Sequence, residues 1–180
     1  MKVVSIVGMT GSGKSEVARI FENNGFVKVR FGDITDSEIA KRGLELNEEN
    51  ERYIRQQLRK EHGISVYAKL SLPRIDSLLK SSNIVVDGLY SWEEYTLFKS
   101  SYGNRFTMVA VWASPETRYK RLAKRPIRPL TVEEAASRDV AEIENINKGG
   151  PIAMANFMII NESSMEDLEK ETRRILAALK

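Results

Sequence analysis

The sequence predicts a three-layer α/β domain around a five-stranded parallel sheet, and three observations predict it. Short runs rich in Val, Ile and Phe, bounded by glycine or aspartate, have the character of buried parallel strands. Longer amphipathic stretches with helix-start signals separate them. The two kinds of segment alternate along the chain, and strand–helix alternation of this sort folds into a sheet covered on both faces.

In chain order, Val3 to Val7 is the first apolar run, and a helix with Val17, Ile20 and Phe21 on one face follows it. Phe26 to Phe31 is the second strand. Residues 33–81 then form an insert of about three helices, longer than a parallel crossover needs and the natural home of a specificity element. Ile84 to Val86 is the third strand. Ser91 with Glu94 three positions on is a capping box that opens the next helix. Phe106 to Trp112 is the fourth strand, followed by a helix with Ser114 as cap and Pro115 at its first position. Thr131 with Glu134 is a second capping box. Phe157 to Ile160 is the fifth strand, before a final helix. Gly25, Gly43, Gly63, Gly103 and Gly149 follow helical stretches and read as helix stops.

Composition narrows the chemistry. The chain has 180 residues, 28 Lys+Arg against 25 Asp+Glu, no cysteine and a single histidine, His62. One domain over residues 1–180 is expected. Disulfides and thiolate catalysis are excluded, and zinc sites and a Ser-His-Asp triad are disfavoured. A net charge of +3 without any basic block implies no nucleic-acid partner. No apolar run approaches the roughly 18 residues of a bilayer span, so a cytoplasmic protein without a membrane partner is expected. Oligomeric state is left unassigned.

The chemistry concentrates in Gly8-Met9-Thr10-Gly11-Ser12-Gly13-Lys14-Ser15, which satisfies G-x-x-x-x-G-K-[ST] between a strand and a helix. In such a phosphate-binding loop (P-loop) the backbone N–H groups around Gly8, Thr10, Gly11, Ser12 and Gly13 converge on phosphate oxygens. Lys14 supplies charge to the β/γ-phosphates and Ser15 a hydroxyl to Mg²⁺. ATP and Mg²⁺ are the expected cofactors. Asp87, ending the third strand, is the candidate metal carboxylate, or else an ordinary strand-end turn residue.

Arg118, Arg121 and Arg125 share one helix face, with Arg128 in the next loop. This face either grips phosphate and transition-state charge or is a solvated helix surface. Arg138-Asp139 is either a lid arginine or a surface ion pair. In the insert, Arg52, Arg55 and Arg59 share a face that either grips an acceptor phosphate or is neutralised by Glu48, Glu49, Glu51 and Glu61. Asp33 is either a base near the phosphate site or a helix N-cap.

The order of P-loop, Gly32-Asp33, Asp87-Gly88 and arginine helix resembles the nucleoside monophosphate kinase group of P-loop proteins. The run Ala113 to Leu122 and the ending Ala153 to Glu169 are similar to dephospho-coenzyme A kinase. Nearly the full chain is similar to adenylate-kinase-related, dephospho-CoA-kinase-like P-loop proteins known chiefly from archaea. That resemblance implies a P-loop NTPase fold, with Arg121 stacked on the nucleotide base, Arg125 on phosphates, and Glu162 and Ser163 beside the adenine. Two features depart from it. Asp36 stands where adenylate kinases carry an arginine, and Leu89-Tyr90-Ser91 lacks their next one. Only Pro126 to Leu130 separates the arginine helix from the following capping box, so any lid, over 126–131, is short.

These readings lead to an ATP- and Mg²⁺-dependent phosphotransferase. Its acceptor would be a small nucleotide-like molecule, a nucleoside monophosphate or a dephospho-CoA-type hydroxyl, with Lys14, Asp33, Arg121 and Arg125 as catalytic residues and Asp33, Arg55 and Arg59 at the acceptor. The alternative is a regulatory P-loop NTPase with no small-molecule acceptor. A guanine-specific switch lacks support, because Asn147-Lys148-Gly149-Gly150 has glycine where N-K-x-D needs aspartate.

Overall fold

The computed structural model describes residues 1–179. Five strands, β1 (Val3–Val7), β2 (Phe26–Arg30), β3 (Asn83–Asp87), β4 (Phe106–Trp112) and β5 (Phe157–Ile160), form one parallel sheet in the order β2-β3-β1-β4-β5. The central strand β1 has all five residues buried. It pairs Ile6 with Asp87 on one side and Val7 with Ala110 on the other. That register brings the turns after β1 and β3 together at the carboxyl edge, where open α/β sheets bind ligands.

Strand alternation sends side chains to two cores. Val4 and Ile6 pack with Val17 and Phe21 of α1 (Lys14–Asn23) and Leu168 and Leu176 of α9 (Met165–Ala178). Val3 and Val7 pack on the opposite face with Phe31, Tyr67 and Phe98. Tyr67 belongs to α4 (Val66–Leu78) and Phe98 to α5 (Trp92–Tyr102). The insert comprises α2 (Gly32–Lys41), α3 (Glu48–His62) and α4, the three helices expected. It is anchored through the Tyr67 ring, stacked 6.3 Å from that of Phe31.

Helix α6 (Pro115–Ala123) begins at Ser114 with Pro115 in its first turn. Reciprocal capping boxes start α5 at Ser91/Glu94 and α7 (Val132–Glu144) at Thr131/Glu134. Two expectations are corrected. β2 ends at Arg30, because Phe31 turns into α2 at φ −64°. Gly149 is not a helix stop but opens the short α8 (Gly149–Ala153). The chain reverses two residues earlier, at Asn147, in the left-handed region (φ 50°), which asparagine tolerates better than most residues. No helix among the described residues is long and apolar enough to cross a membrane.

Candidate functional site

The loop between β1 and α1 is held from two sides. Arg118 Nη1 donates to Thr10 O (3.1 Å), and Asn161 Nδ2 donates to Ser12 O (2.8 Å). Gly11 and Gly13 sit at φ 85° and 101°, a region costly for other residues. A Cβ on Gly11 would also come within 2.9 Å of Arg118 O. The turn delivers Lys14 and Ser15 to the first positions of α1, where helix N–H groups and the helix dipole favour an anion.

Thr10, Gly11, Lys14 and Ser15 line a cavity of about 150 Å³ with Asp87 and Gly88 from the end of β3. Lys14 Nζ donates to Met9 O (2.9 Å), curled back along its own loop. Burial, reinforced by the Lys148 ammonium, pulls the Lys14 ammonium down to about 7. The donor set fits a magnesium ion. Ser15 and the nearly buried Asp87 face one space, and no group of three His, Cys, Asp or Glu among the described residues forms a closed metal cage. Mg²⁺ characteristically takes one or two protein oxygens and completes its shell with phosphates and water.

The far wall brings α7 and the turn after it to the P-loop. Glu142 Oε1 accepts from Thr10 Oγ1 (3.2 Å) and Arg138 Nε (3.3 Å), and its Oε2 accepts from Lys148 Nζ (2.7 Å). Burial alone would raise the Glu142 carboxyl, but Lys148, Arg138 and Lys14 outweigh it and hold it well below the usual carboxylate range. No sequence motif announced Lys148 or Glu142. The one available signal concerned Glu142, a polar residue at a position that the helical period of α7 makes inward-facing; Lys148, beyond the end of that helix, had none.

The arginine helix divides its work. Arg118 is buried in a bidentate pair with Asp139, at 2.9 and 2.6 Å, and its Nε donates to Ala113 O. It therefore buttresses the P-loop from behind and does not join a phosphate-facing row. Arg125 is not on that helix face as expected, because α6 ends at Ala123; from the following loop it lines the cavity, where burial and then Arg138 lower its pKa. Arg121 is half-buried, and its Nη1 is enclosed without a partner. Nearby, Glu162 accepts from Thr117 Oγ1 (2.5 Å) and from Ser114 N at the start of α6. Ser163 is exposed in the loop after β5. The Arg138-Asp139 pair splits, with Arg138 facing the cavity and Asp139 facing Arg118.

The insert closes the other side. Arg55 lines the P-loop cavity and an adjoining cavity of about 370 Å³ that also receives Arg52, Arg59 and Lys60; Tyr90 and Arg138 border both spaces. Arg59 lies over the rings of Tyr67 (5.3 Å) and Tyr90 (5.9 Å). The neutralising carboxylates are present on this face, since Arg55 bonds Glu48 (2.7 Å) and Glu51 (3.0 Å) while also lining the cavity. Asp33 departs from its expected position. With β2 ending at Arg30, Asp33 falls in the first turn of α2, bonds Arg30 (2.9 Å) and leaves its side chain 53% exposed, outside the P-loop cavity. Thr35 and Asp36 face that cavity instead. Arg30 reaches it too and pairs with Asp36 at 2.7 Å. The 126–131 loop carries Arg128, left-handed at φ 56°, across to Glu51 and to Asp36 (3.8 Å).

A family model described as an AAA domain matches residues 4–148. Among solved structures the chain is similar to a gluconokinase from Sinorhizobium meliloti (TM-score 0.66, 15% identity), covering 99% of this chain and 93% of that one. It is likewise similar to a dephospho-CoA kinase from Campylobacter jejuni (TM-score 0.57, 18% identity), with coverage of 99% and 97%. The fold is that of the P-loop kinases. A UPF0200 protein of Thermococcus kodakarensis is 39% identical over 178 residues, 97% of this chain and 96% of the relative. Another from Methanosarcina barkeri is 33% identical over 179 residues, 98% of this chain and 95% of the relative. The chain belongs to the UPF0200 family.

Proposed function

We propose that this protein is an ATP- and Mg²⁺-dependent phosphotransferase that moves the γ-phosphoryl group to a small anionic, nucleotide-like acceptor. The observation that carries this reading is the meeting of the P-loop cavity with a second cavity lined by Arg52, Arg55 and Arg59, across the shared Arg55, Tyr90 and Arg138. A pure NTPase has no need of a second cationic cavity beside its phosphate site. ATP would lie with its phosphates on the P-loop and its base toward Arg121. Ser15 and Asp87 would hold Mg²⁺, which would neutralise β- and γ-phosphate charge.

The chain's own groups supply positioning and electrostatics, the main resources of phosphoryl transfer. Lys14 leaves Met9 O for the phosphates and gains charge stabilisation there. Arg125 and Arg138 add cations on the opposite wall. Arg55 and Arg59 hold the acceptor's anionic group. The 126–131 loop acts as a short lid through Arg128, and the setting is the cytoplasm. An acceptor phosphate reacts without a base, which suits the outward placement of Asp33; a hydroxyl acceptor would draw on Asp36.

Phosphorus NMR on ATP and Mg²⁺, incubated with nucleosides, nucleoside monophosphates and dephospho-CoA, tests the proposal. A new phosphorylated product beside ADP is expected. ADP and inorganic phosphate alone, at the same slow rate with every acceptor, would favour the regulatory NTPase instead.

A further inference from the structure

Outside the P-loop, the most heavily enclosed cation of the site is Lys148, which is fully buried. Its position is set by the backbone. Left-handed Asn147 turns the chain back, so that Lys148 N–H donates to Glu142 O (3.1 Å) while its Nζ donates to Glu142 Oε2 (2.7 Å). Main chain and side chain thus fasten the same residue twice. An ammonium has three N–H donors. Glu142 takes one, and the Tyr90 ring lies 5.2 Å away. The Lys148 side chain opens on the cavity that holds Lys14, Ser15 and Asp87.

A buried ion pair is a poor way to gain stability, because desolvation offsets most of its attraction. Glu142 does more than neutralise the lysine. By accepting from Thr10 Oγ1 it ties the ammonium to the P-loop, so Lys148 and the loop share one rigid frame. Donors fixed in place before charge develops act most strongly on a transition state.

We propose that Lys148 is a second lysine of the phosphate site, donating a hydrogen bond to an oxygen of the phosphoryl group in flight, with Glu142 as its positioning residue. This rests on the phosphotransferase reading. In the step, the bond from the β,γ-bridging oxygen to the γ-phosphorus breaks, and its electron pair stays on ADP. An acceptor oxygen bonds to the phosphorus; a phosphate acceptor has no proton to lose there, and a hydroxyl acceptor releases its proton to the Asp36 carboxylate on the cavity wall. Lys148 keeps its own proton throughout and stabilises the three equatorial oxygens.

The test uses the full chain and measures calorimetric binding of ADP·Mg²⁺ with and without aluminium fluoride, which mimics the planar phosphoryl group. Wild type is expected to bind ADP more tightly when the fluoride is present. Lys148→Met should keep ADP affinity within about threefold and lose roughly 10²-fold of the fluoride-dependent gain, the scale for one lost transition-state donor. Lys148→Arg should recover part of it, and Glu142→Gln should lose an intermediate share. If either single variant fails to fold, the uncharged pair Lys148→Met/Glu142→Gln replaces it and should show the same loss. A gain retained in full overturns the assignment, as does an equal loss of plain ADP binding, the mark of a structural role. A wild type with no gain at all overturns the phosphotransferase reading and Lys148's role with it.

Discussion

Replacing Arg118 by methionine separates a buttress from a phosphate ligand. The guanidinium is almost fully buried, makes two bonds to Asp139 at 2.9 and 2.6 Å, and donates to Thr10 O and Ala113 O. Methionine fills much of the space but leaves Asp139 enclosed with one neutral donor, Tyr119 Oη at 3.0 Å. Removing one partner of a buried pair typically costs about 3–5 kcal/mol, and the two orphaned carbonyls place this case at the upper end. Converting Asp139 to asparagine as well removes the stranded charge, so the double variant should recover roughly 1–3 kcal/mol of the loss. Urea denaturation of the four proteins of this cycle measures both quantities. A loss below about 1 kcal/mol in Arg118→Met, together with collapse of ATP turnover, would refute the buttress and return Arg118 to the phosphates.

Glu94 caps α5, accepting from Tyr90 N and Ser91 N while its Oε1 has no partner; burial raises its carboxyl to about 7 despite Arg59 and Lys148 nearby. The native state therefore holds a proton that the unfolded chain releases above about pH 4.5, so stability falls between pH 4.5 and 7 and is flat beyond. Glu94→Gln should abolish that slope, worth at most about 3 kcal/mol, in urea titrations at several pH values; an unchanged slope assigns it to other groups. Asp33→Asn should leave phosphoryl transfer within about threefold, whereas Asp36→Asn should lose roughly 10²-fold with a hydroxyl acceptor, both read from steady-state rates. Glu48 holds Arg55 and Arg138 at 2.7 and 2.6 Å, so Glu48→Gln should free both and tighten inorganic phosphate binding about tenfold by calorimetry; weaker binding would show that Glu48 orients the arginines for the anion.

Local chemistry explains how much was legible in the sequence. Strand runs, capping boxes and the P-loop are written in neighbouring residues, and Val3–Val7, Ser91/Glu94 and Gly8–Ser15 lie where those signals put them. Long-range pairing is not written there. The spacing of Arg118, Arg121 and Arg125 says that they lie along one side of a helix, but Asp139, 21 positions away, turns the first of them inward. Asp33 moved because β2 stops one residue early, a boundary that hydrophobicity alone left at Phe31. Lys148 was hidden because Asn147 adopts a left-handed turn where glycine was the expected reversal. The carboxylate half of Arg55's environment was legible, because Glu48 and Glu51 precede it on its own helix by seven and four positions, whereas its place on the P-loop cavity depends on tertiary packing.

Lys14→Ala offers the most direct check on a γ-phosphoryl-transferring P-loop. Single-turnover experiments with excess protein over labelled ATP and Mg²⁺, in the presence of the productive acceptor, give the chemical step free of product release. The variant should keep the wild-type circular dichroism spectrum, since Lys14 Nζ bonds only to Met9 O within its own loop, and the rate should fall about 10²-fold or more. A folded Lys14→Ala protein that transfers phosphoryl groups at the wild-type rate would contradict the assignment of this cavity as the site of the reaction.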